Sequence, residues 1–302
     1  MEVSEIIGEQ EKIKNQRIHK IVFLIGILLF FLVSWKNYHE DGLRKGESVV
    51  AFLDVGQGDC IVIYSKKHCF VIDGGGWQKE GENTGLSILL PFFIEKGIKK
   101  IDAAFITHLH EDHYKGIEEI IDHIPIQKMV FSKVYQGYVD DWEQKGVKEF
   151  VYMSRGDEIA NEDFRVTSLY PITDSYIAEN ENHNSLVLLL ETQGHKILLT
   201  GDVEKEGEEQ MLSFYQKEKS LQKIDVLKVA HHGSNTSTTG NFLDFIQPKV
   251  GVISVGPNQF SHPHQEVIKR LEEKRIAVYL TQNCGMIEIR FNNKGFRLKQ
   301  NH

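Results

Sequence analysis

The sequence predicts an α/β sandwich, two β-sheets face to face with helices on the outside. From Ser48 onward, short apolar runs alternate with turn signals and amphipathic stretches. Two hairpin-like stretches, "DCIVIYSKKHCFVIDGG" and "NSLVLLLETQGHKILLTGD", echo one another, and the second strand of each ends on an aspartate, Asp73 or Asp202. No Pro- or Ser-rich linker divides this part, so one domain is expected over residues 47–299.

Taken in order, "VVAFLDV", "CIVIYS" and "CFVIDGG" read as strands, the last two joined by a polar turn. "LSILLPFFIEKG" reads as a helix in which Pro91 marks a kink or an early turn. "IDAAFIT" is a strand running straight into "HLHEDH". "SLVLLLE" and "HKILLTGD" form the second hairpin, followed by the helical "VEKEGEEQMLSFYQKEK". Strands "DVLKVA" and "VGVISVG", the helix "HQEVIKRLEEK" and the strands "AVYLT" and "MIEIRF" complete the pattern.

A 41% hydrophobic content in 302 residues supports a real core and excludes global disorder. The formal charge is −8, and in the first 35 residues four Lys/Arg offset four Asp/Glu, so the remainder carries all of it. That excludes a domain held on nucleic acid by bulk positive charge, though not a local basic patch. Of the three cysteines, no two form a C-x-x-C pair, which argues against a cysteine zinc knuckle. With Ser65 to His68 as the turn, Tyr64 faces Cys69 and Cys60 lies too far along to bond it, so buried free thiols are expected.

"IVFLIGILLFFLVSW", Ile21 to Trp35, contains one polar residue and is flanked by Lys20 and Lys36. It is shorter than the ~20 residues of an ordinary span, but the lysines can snorkel, and Trp35 and Tyr38 suit an interface. No small-x-small cleavage site follows, so an uncleaved single anchor is expected rather than a signal peptide. Residues 1–20 are then a cytoplasmic segment, 21–35 the anchor and 36–46 a linker. Four basic residues before the segment and three after it tilt the soluble part toward the outside of a cell membrane.

"HLHEDH", His108 to His113, packs three histidines and two acids into six positions. For any single histidine, a solvated or hydrogen-bonded loop is the alternative to a metal ligand. Histidines and acids recurring beside predicted strand ends favour metal, because neutral imidazole and carboxylate together suit zinc-like ions. His108 and His110, two apart, can point into one site, and Asp112 and His113 can reach a second. Asp202 in "LLTGD" is the candidate bridging carboxylate, and "HHGS" places His231 and His232 after a further strand. His183 in "ENHNSL" is a candidate ligand or a turn residue, since Asn182 and Asn184 suit a turn. Ser234 is a turn cap or a substrate contact.

These residues resemble the metallo-β-lactamase superfamily, whose central motif is His-x-His-x-Asp-His after a strand. The resemblance spans Asp73 in "VIDGG", "THLHEDH", a third histidine, Asp202 in "TGD" and a last histidine, and it implies a four-layer αββα sandwich. The 19 residues from His183 to Asp202 enclose one hairpin, as that pattern asks, which supports His183 as a ligand. "FLDVGQGDCIVI", "ENHNSLVLLL", "DVLKVAHHGSNTST" and "VGPNQFSHPHQEVIKRL" further resemble the metallo-β-lactamase-like domain of ComEC-type competence proteins. In those proteins the domain joins a multi-span channel, which this chain, with one apolar segment, does not contain.

The resemblance implies two divalent ions, zinc or manganese, held by His108, His110, Asp112, His113, His183, Asp202 and His231. His232 is then a substrate neighbour, with the His231/His232 choice left open, and "NQFSHPH" brings Asn258 and His262 near the substrate, His262 alternatively being a helix-start residue. Asp112, His232 and His262 are the candidate catalytic groups, for orienting water and for stabilising or protonating oxygen. The expected activity is a membrane-anchored, metal-dependent phosphodiester hydrolase, an extracellular nuclease acting on DNA. The alternatives are a hydrolase of a cell-wall phosphoryl ester or of a small ester or lactone, and a non-catalytic module that keeps its metal for structure.

Overall fold

A computed structural model describes residues 19–30, 42–76, 83–138, 142, 147–216 and 221–301. The chain divides into two compact units, Met1–Arg44 and Lys45–His302. In the first, residues 19–30 form a helix, α1, with Ile21, Phe23, Leu24 and Leu28 exposed. Residues 31–35 of the expected anchor lie outside the described residues, and among the described residues no helix is long and apolar enough to cross a membrane.

The second unit is built on two sheets. The eight-stranded sheet runs β15-β14-β1-β2-β3-β4-β5-β6. Its strands are β1 (Ser48–Phe52), β2 (Ile61–Tyr64), β3 (Cys69–Ile72), β4 (Ala103–Phe105), β5 (Lys128–Ser132), β6 (Glu149–Met153), β14 (Met286–Asn292) and β15 (Gly295–Asn301). The seven-stranded sheet runs β13-β12-β11-β10-β9-β8-β7. It contains β7 (Glu158–Ala160), β8 (Arg165–Tyr170), β9 (Val187–Thr192), β10 (His195–Leu199), β11 (Val226–Lys228), β12 (Val250–Ile253) and β13 (Ala277–Leu280).

Alternation along the strands explains the layering. Val50, Phe52, Ile61, Ile63, Phe70 and Ile72 of the first sheet form one buried core with Leu188, Leu190, Ile197, Leu199, Val226 and Val252 of the second. The opposite faces of β9, β10 and β11, through Val187, Leu189, Leu198 and Leu227, pack on α4 (Lys205–Tyr215), α5 (Gly240–Ile246) and α6 (Gln265–Glu273). On the first sheet, α2 (Leu90–Lys96) buries Phe92 against Tyr64, and Pro91 sits in its first turn, directly after the π-helical stretch Gly85–Leu89 that runs into it. The helix α3 (Glu111–Ile120) buries Ile117 and Ile120, and its Gly116 lies so close to Gly74 that an added Cβ would meet the Gly74 carbonyl oxygen at 2.0 Å.

Both hairpins are formed. In the first, Tyr64 pairs with Cys69 in the expected register, and Cys60, Cys69 and Cys284 are all free thiols. In the second, Leu199 of β10 pairs with Leu188 of β9. The strands that lead into the polar cluster run parallel, β3 beside β4 and β10 beside β11. Their carboxyl ends open at one edge of the sandwich, the place where α/β sheets ordinarily present ligand sites.

Candidate metal centre

Asp73, the first residue after β3, accepts hydrogen bonds from the Thr107 N–H at 2.8 Å, the Thr107 hydroxyl at 2.7 Å and His113 Nδ1 at 2.8 Å. It therefore acts on the cluster from behind, fixing the turn between β4 and α3. Its backbone is left-handed, with φ 55°, which a carboxylate anchored three times can sustain. Glu181 performs the same task on the other side, accepting from the Leu109 N–H at 3.1 Å, the Tyr176 hydroxyl at 3.0 Å and the Tyr135 hydroxyl. The peptide between His108 and His110 is thereby held at both flanks.

A carboxylate or carbonyl oxygen only accepts, so each such partner fixes a histidine tautomer. His113 Nδ1 donates to Asp73, and His232 Nδ1 donates to the Ser254 carbonyl at 2.9 Å. The Nε2 atoms of both rings consequently face inward. His113 Nε2 lies 3.4 Å from Asp202 Oδ2 and 3.9 Å from Asp112 Oδ2. His232 Nε2 lies 3.3 Å from Asp112 Oδ2 and 3.4 Å from Asp202 Oδ2. Neither Nε2 is in a well-formed hydrogen bond although both are buried, an arrangement that suits a cation between imidazoles and carboxylates.

The donor atoms cluster accordingly. One group joins His108, His113 and Asp202, and another joins Asp112, His113 and His232, with the ligand atoms of each within 4.8 Å of one another. His110 Nδ1 is 3.0 Å from His108 Nε2, which places it beside the first group. His231 stands at the rim: its Nε2 is 3.8 Å from Asp202 Oδ2, and its Nδ1 is 3.3 Å from Glu204 Oε1. His231 and His232 both have positive φ, 49° and 51°, and Gly233 follows at 82°. This left-handed run sends the two rings in different directions from one tight turn.

Other predicted residues take different places. The Nε2 of His183 lies 3.6 Å from Glu204 and 3.7 Å from Glu206, so the turn that carries it brings it to these acids and not within ion-pair distance of Asp202. Ser234 Oγ accepts from the Thr236 N–H at 3.3 Å and pairs with the Thr236 hydroxyl, which is the turn-capping role. Asn258 spends its amide on its own loop, accepting from the Phe260 and His262 N–H groups and donating to the Gly256 and His262 carbonyls. His262 lines the site with its ring 5.4 Å from that of His231.

The cluster floors a cavity of about 390 Å³, whose wall includes Gln57, Glu111, Phe260 and His262. Among the described residues, no lysine or arginine lines this cavity. Three further polar residues support the cluster without being named as site members by motif or spacing. Asp59 and Lys228 are buried behind Asp202, and Glu204 links His231, Asn180 and Thr236. For Lys228 the available signal was a lone cation in the apolar strand "DVLKVA", immediately before the histidine pair.

Electrostatics follow from this crowding. Burial alone would lower His232, but Asp202 and Asp112 outweigh it and raise it to about 10. Burial raises Asp202, yet His232, His113, His231 and Lys228 more than reverse that and hold it far below the usual range. Bound hydrogen at His232 is what a divalent ion must displace. Metal affinity should accordingly fall as pH drops below about 10, by about tenfold per unit for each proton released. Calorimetry in buffers of different ionisation enthalpy should detect that release on loading about two ions per chain, and proton-free binding would contradict it.

A family model described as the metallo-beta-lactamase superfamily matches residues 53–256. The chain belongs to this superfamily. It is 33% identical over 271 residues to ComE operon protein 3 of Bacillus subtilis (strain 168), covering 83% of this chain and 34% of that protein. It is 28% identical over 300 residues to Recombination protein 2 of Haemophilus influenzae, covering 95% and 34%. This metallo-β-lactamase chain thus spans about a third of the length of those relatives. Among solved structures, CmlA, a diiron β-hydroxylase from Streptomyces venezuelae, matches with a TM-score of 0.57 at 12% identity, over 85% of this chain and 54% of that one. YhfI of Bacillus subtilis, a metallo-β-lactamase fold protein, matches with a TM-score of 0.53 at 12% identity, over 80% and 99%. At these identities the structural matches establish the fold alone.

Proposed function

We propose that this metallo-β-lactamase domain is a binuclear, metal-dependent phosphodiesterase acting on nucleic acid strands. The observation that carries the reading is the convergence of two buried imidazole nitrogens, on His113 and His232, with Asp112 and Asp202 at the floor of an open cavity. Bound zinc or manganese ions would supply Lewis-acid charge and an activated water. His108 and His110 would hold one ion, and Asp112, His113 and His232 the other, with Asp202 available to both. His232 takes the ligand role over His231, because its Nε2 lies closer to both carboxylates and its Nδ1 is fixed by Ser254.

Asp112 orients the attacking water from the cavity floor. Burial, with His231 and His232 alongside, lowers His262 to about 4, so near neutral pH it is uncharged and donates an N–H to a phosphoryl oxygen rather than serving as a ready acid. The name of one relative, Recombination protein 2, supports a substrate of DNA. The described lining, polar but without lysine or arginine among the described residues, and the net charge of −8 favour a second reading, hydrolysis of a smaller phosphoryl ester such as one of the cell wall.

Incubating the full chain with single-stranded DNA, double-stranded DNA and bis-p-nitrophenyl phosphate, with and without chelator, tests both. Chelator-sensitive cleavage of DNA is expected. Cleavage of bis-p-nitrophenyl phosphate alone would favour the small ester, and a fully loaded protein inert on all three would end the hydrolase reading.

The chain is also proposed to sit on the outer face of a cell membrane through residues 21–35, a reading supported by its apolar run and its flanking lysines. Protease added to intact cells should remove the domain while an N-terminal tag stays with the membrane fraction. A domain cut only after lysis would reverse that orientation.

A further inference from the structure

Lys228 is completely buried at the end of β11, on the face that continues the inter-sheet core from Val226. Its ammonium contacts Asp59 Oδ2, donates to the Gly201 carbonyl at 2.9 Å and lies 3.4 Å from Asp202 Oδ1. The other oxygen of Asp202, Oδ2, is the one facing His113, His231 and His232, at 3.4, 3.8 and 3.4 Å. A single carboxylate is thus divided, one oxygen to a cation of the chain and one to three imidazoles.

Asp59 makes the arrangement rigid. It is 1% exposed, its N–H donates to the Asp112 carbonyl at 3.1 Å, and its carbonyl accepts from the Gly75 N–H at 2.6 Å. Its carboxylate therefore reaches Lys228 from a backbone tied to the first sheet, while Lys228 belongs to the second. A buried ion pair is a poor way to gain stability, since well-packed apolar residues of similar size usually do as well or better. Its presence beside a carboxylate-rich centre calls for another account. Asp59, Asp73 and Asp202 are all buried here, and mutual repulsion among them must be offset whenever no metal is bound.

We propose that Lys228 is a positioning residue: anchored by Asp59, it takes Oδ1 of Asp202, leaves only Oδ2 to the metal centre, and balances the buried carboxylates in the metal-free protein. This rests on the reading of Asp202 as a metal ligand. Lys228 touches no cavity surface, so it acts through Asp202 rather than on substrate.

The test compares thermal unfolding of the full chain, with chelator and with manganese, for the wild type, Lys228→Met and Lys228→Met/Asp59→Asn. Equilibrium dialysis against manganese counts the ions bound by each. Lys228→Met is expected to lower the unfolding midpoint more without metal than with it, so that the manganese-induced shift at least doubles relative to wild type. Adding Asp59→Asn removes the stranded carboxylate and should recover most of the metal-free midpoint. Equal loss with and without manganese would make Lys228 a space-filling residue and overturn the proposal, as would a double variant no better than the single one. If Lys228→Met does not fold alone, the double variant must fold, and its failure also counts against the proposal. A wild type that binds no manganese would sink the metal reading itself and this inference with it, whereas normal binding with an unchanged shift removes only the role of Lys228.

Discussion

Asp202→Asn should abolish phosphodiester hydrolysis while leaving the fold intact, with turnover lowered at least ~100-fold. Asp202 lies in the loop just beyond the hairpin strand β10, and its Oδ2 lies within 4 Å of His113, His231 and His232. No other carboxylate in the cluster faces so many imidazoles, so its charge is felt at both proposed ion positions together. The amide keeps the size and one acceptor oxygen but loses the negative charge that offsets two divalent ions. Because Lys228 and the Ser185 hydroxyl, which accepts from the Asp202 N–H at 3.3 Å, still grip the loop, circular dichroism and unfolding should report a folded protein. Near-wild-type rates in a variant still binding two ions would show that Asp202 is not the shared ligand.

His232→Ala should lose about one bound ion per chain and at least ~100-fold in turnover, the second large effect. Its Nε2 lies 3.3 Å from Asp112 and 3.4 Å from Asp202, and the whole ring is buried. His231→Ala should do much less to metal content, since that ring is partly exposed and one nitrogen already faces Glu204. Elemental analysis and initial rates on the two variants decide the matter. Retention of both ions by His232→Ala, with loss in His231→Ala, would return the ligand role to His231.

Local pattern made much of this molecule legible. The hairpin "CIVIYSKKHC" could be registered from its turn because a period of two leaves little freedom once Ser65 to His68 is the loop, and Tyr64 does pair with Cys69. "HLHEDH" announces itself because costly polar groups follow an apolar strand, and the two echoing hairpins placed Asp73 and Asp202 at matching ends. What a linear pattern does not carry is the direction of side chains in irregular backbone. His231 and His232 are neighbours in sequence, and their separation into rim and floor depends on successive left-handed residues. The spacing of the resembled pattern points to His183 as a ligand, with a turn residue as the alternative, and the short turn Glu181–Asn184 brings it to Glu204 and Glu206.

Asp59 and Lys228 lie within the stretches "FLDVGQGDCIVI" and "DVLKVAHHGSNTST" but, like Glu204, show their significance only in contacts between the two sheets and their connecting loops. Strands β5, β6, β7, β8 and β15 are likewise not among those read from the sequence; of these, β7 is only three residues long and partly exposed, which leaves no apolar run to mark it.

One pairing in the first sheet bears on how the molecule comes into being. β1 lies between β2 and β14, with Val50 opposite Ile289, so its neighbour on one side is near in the chain and on the other is supplied after the entire second sheet. Contacts this remote in sequence slow folding, because a long loop must close before they form. During synthesis, β1 to β6 emerge with one side of β1 unpaired, and the sheet that holds Asp73 is sealed only when β14 arrives. His108, Asp112 and His113 exist on the ribosome well before Asp202 and His232 do. Capture of a cation by the complete proposed centre would consequently come late, since four of its six ligands, His108, His110, Asp112 and His113, precede Asp202 and His232 in the chain.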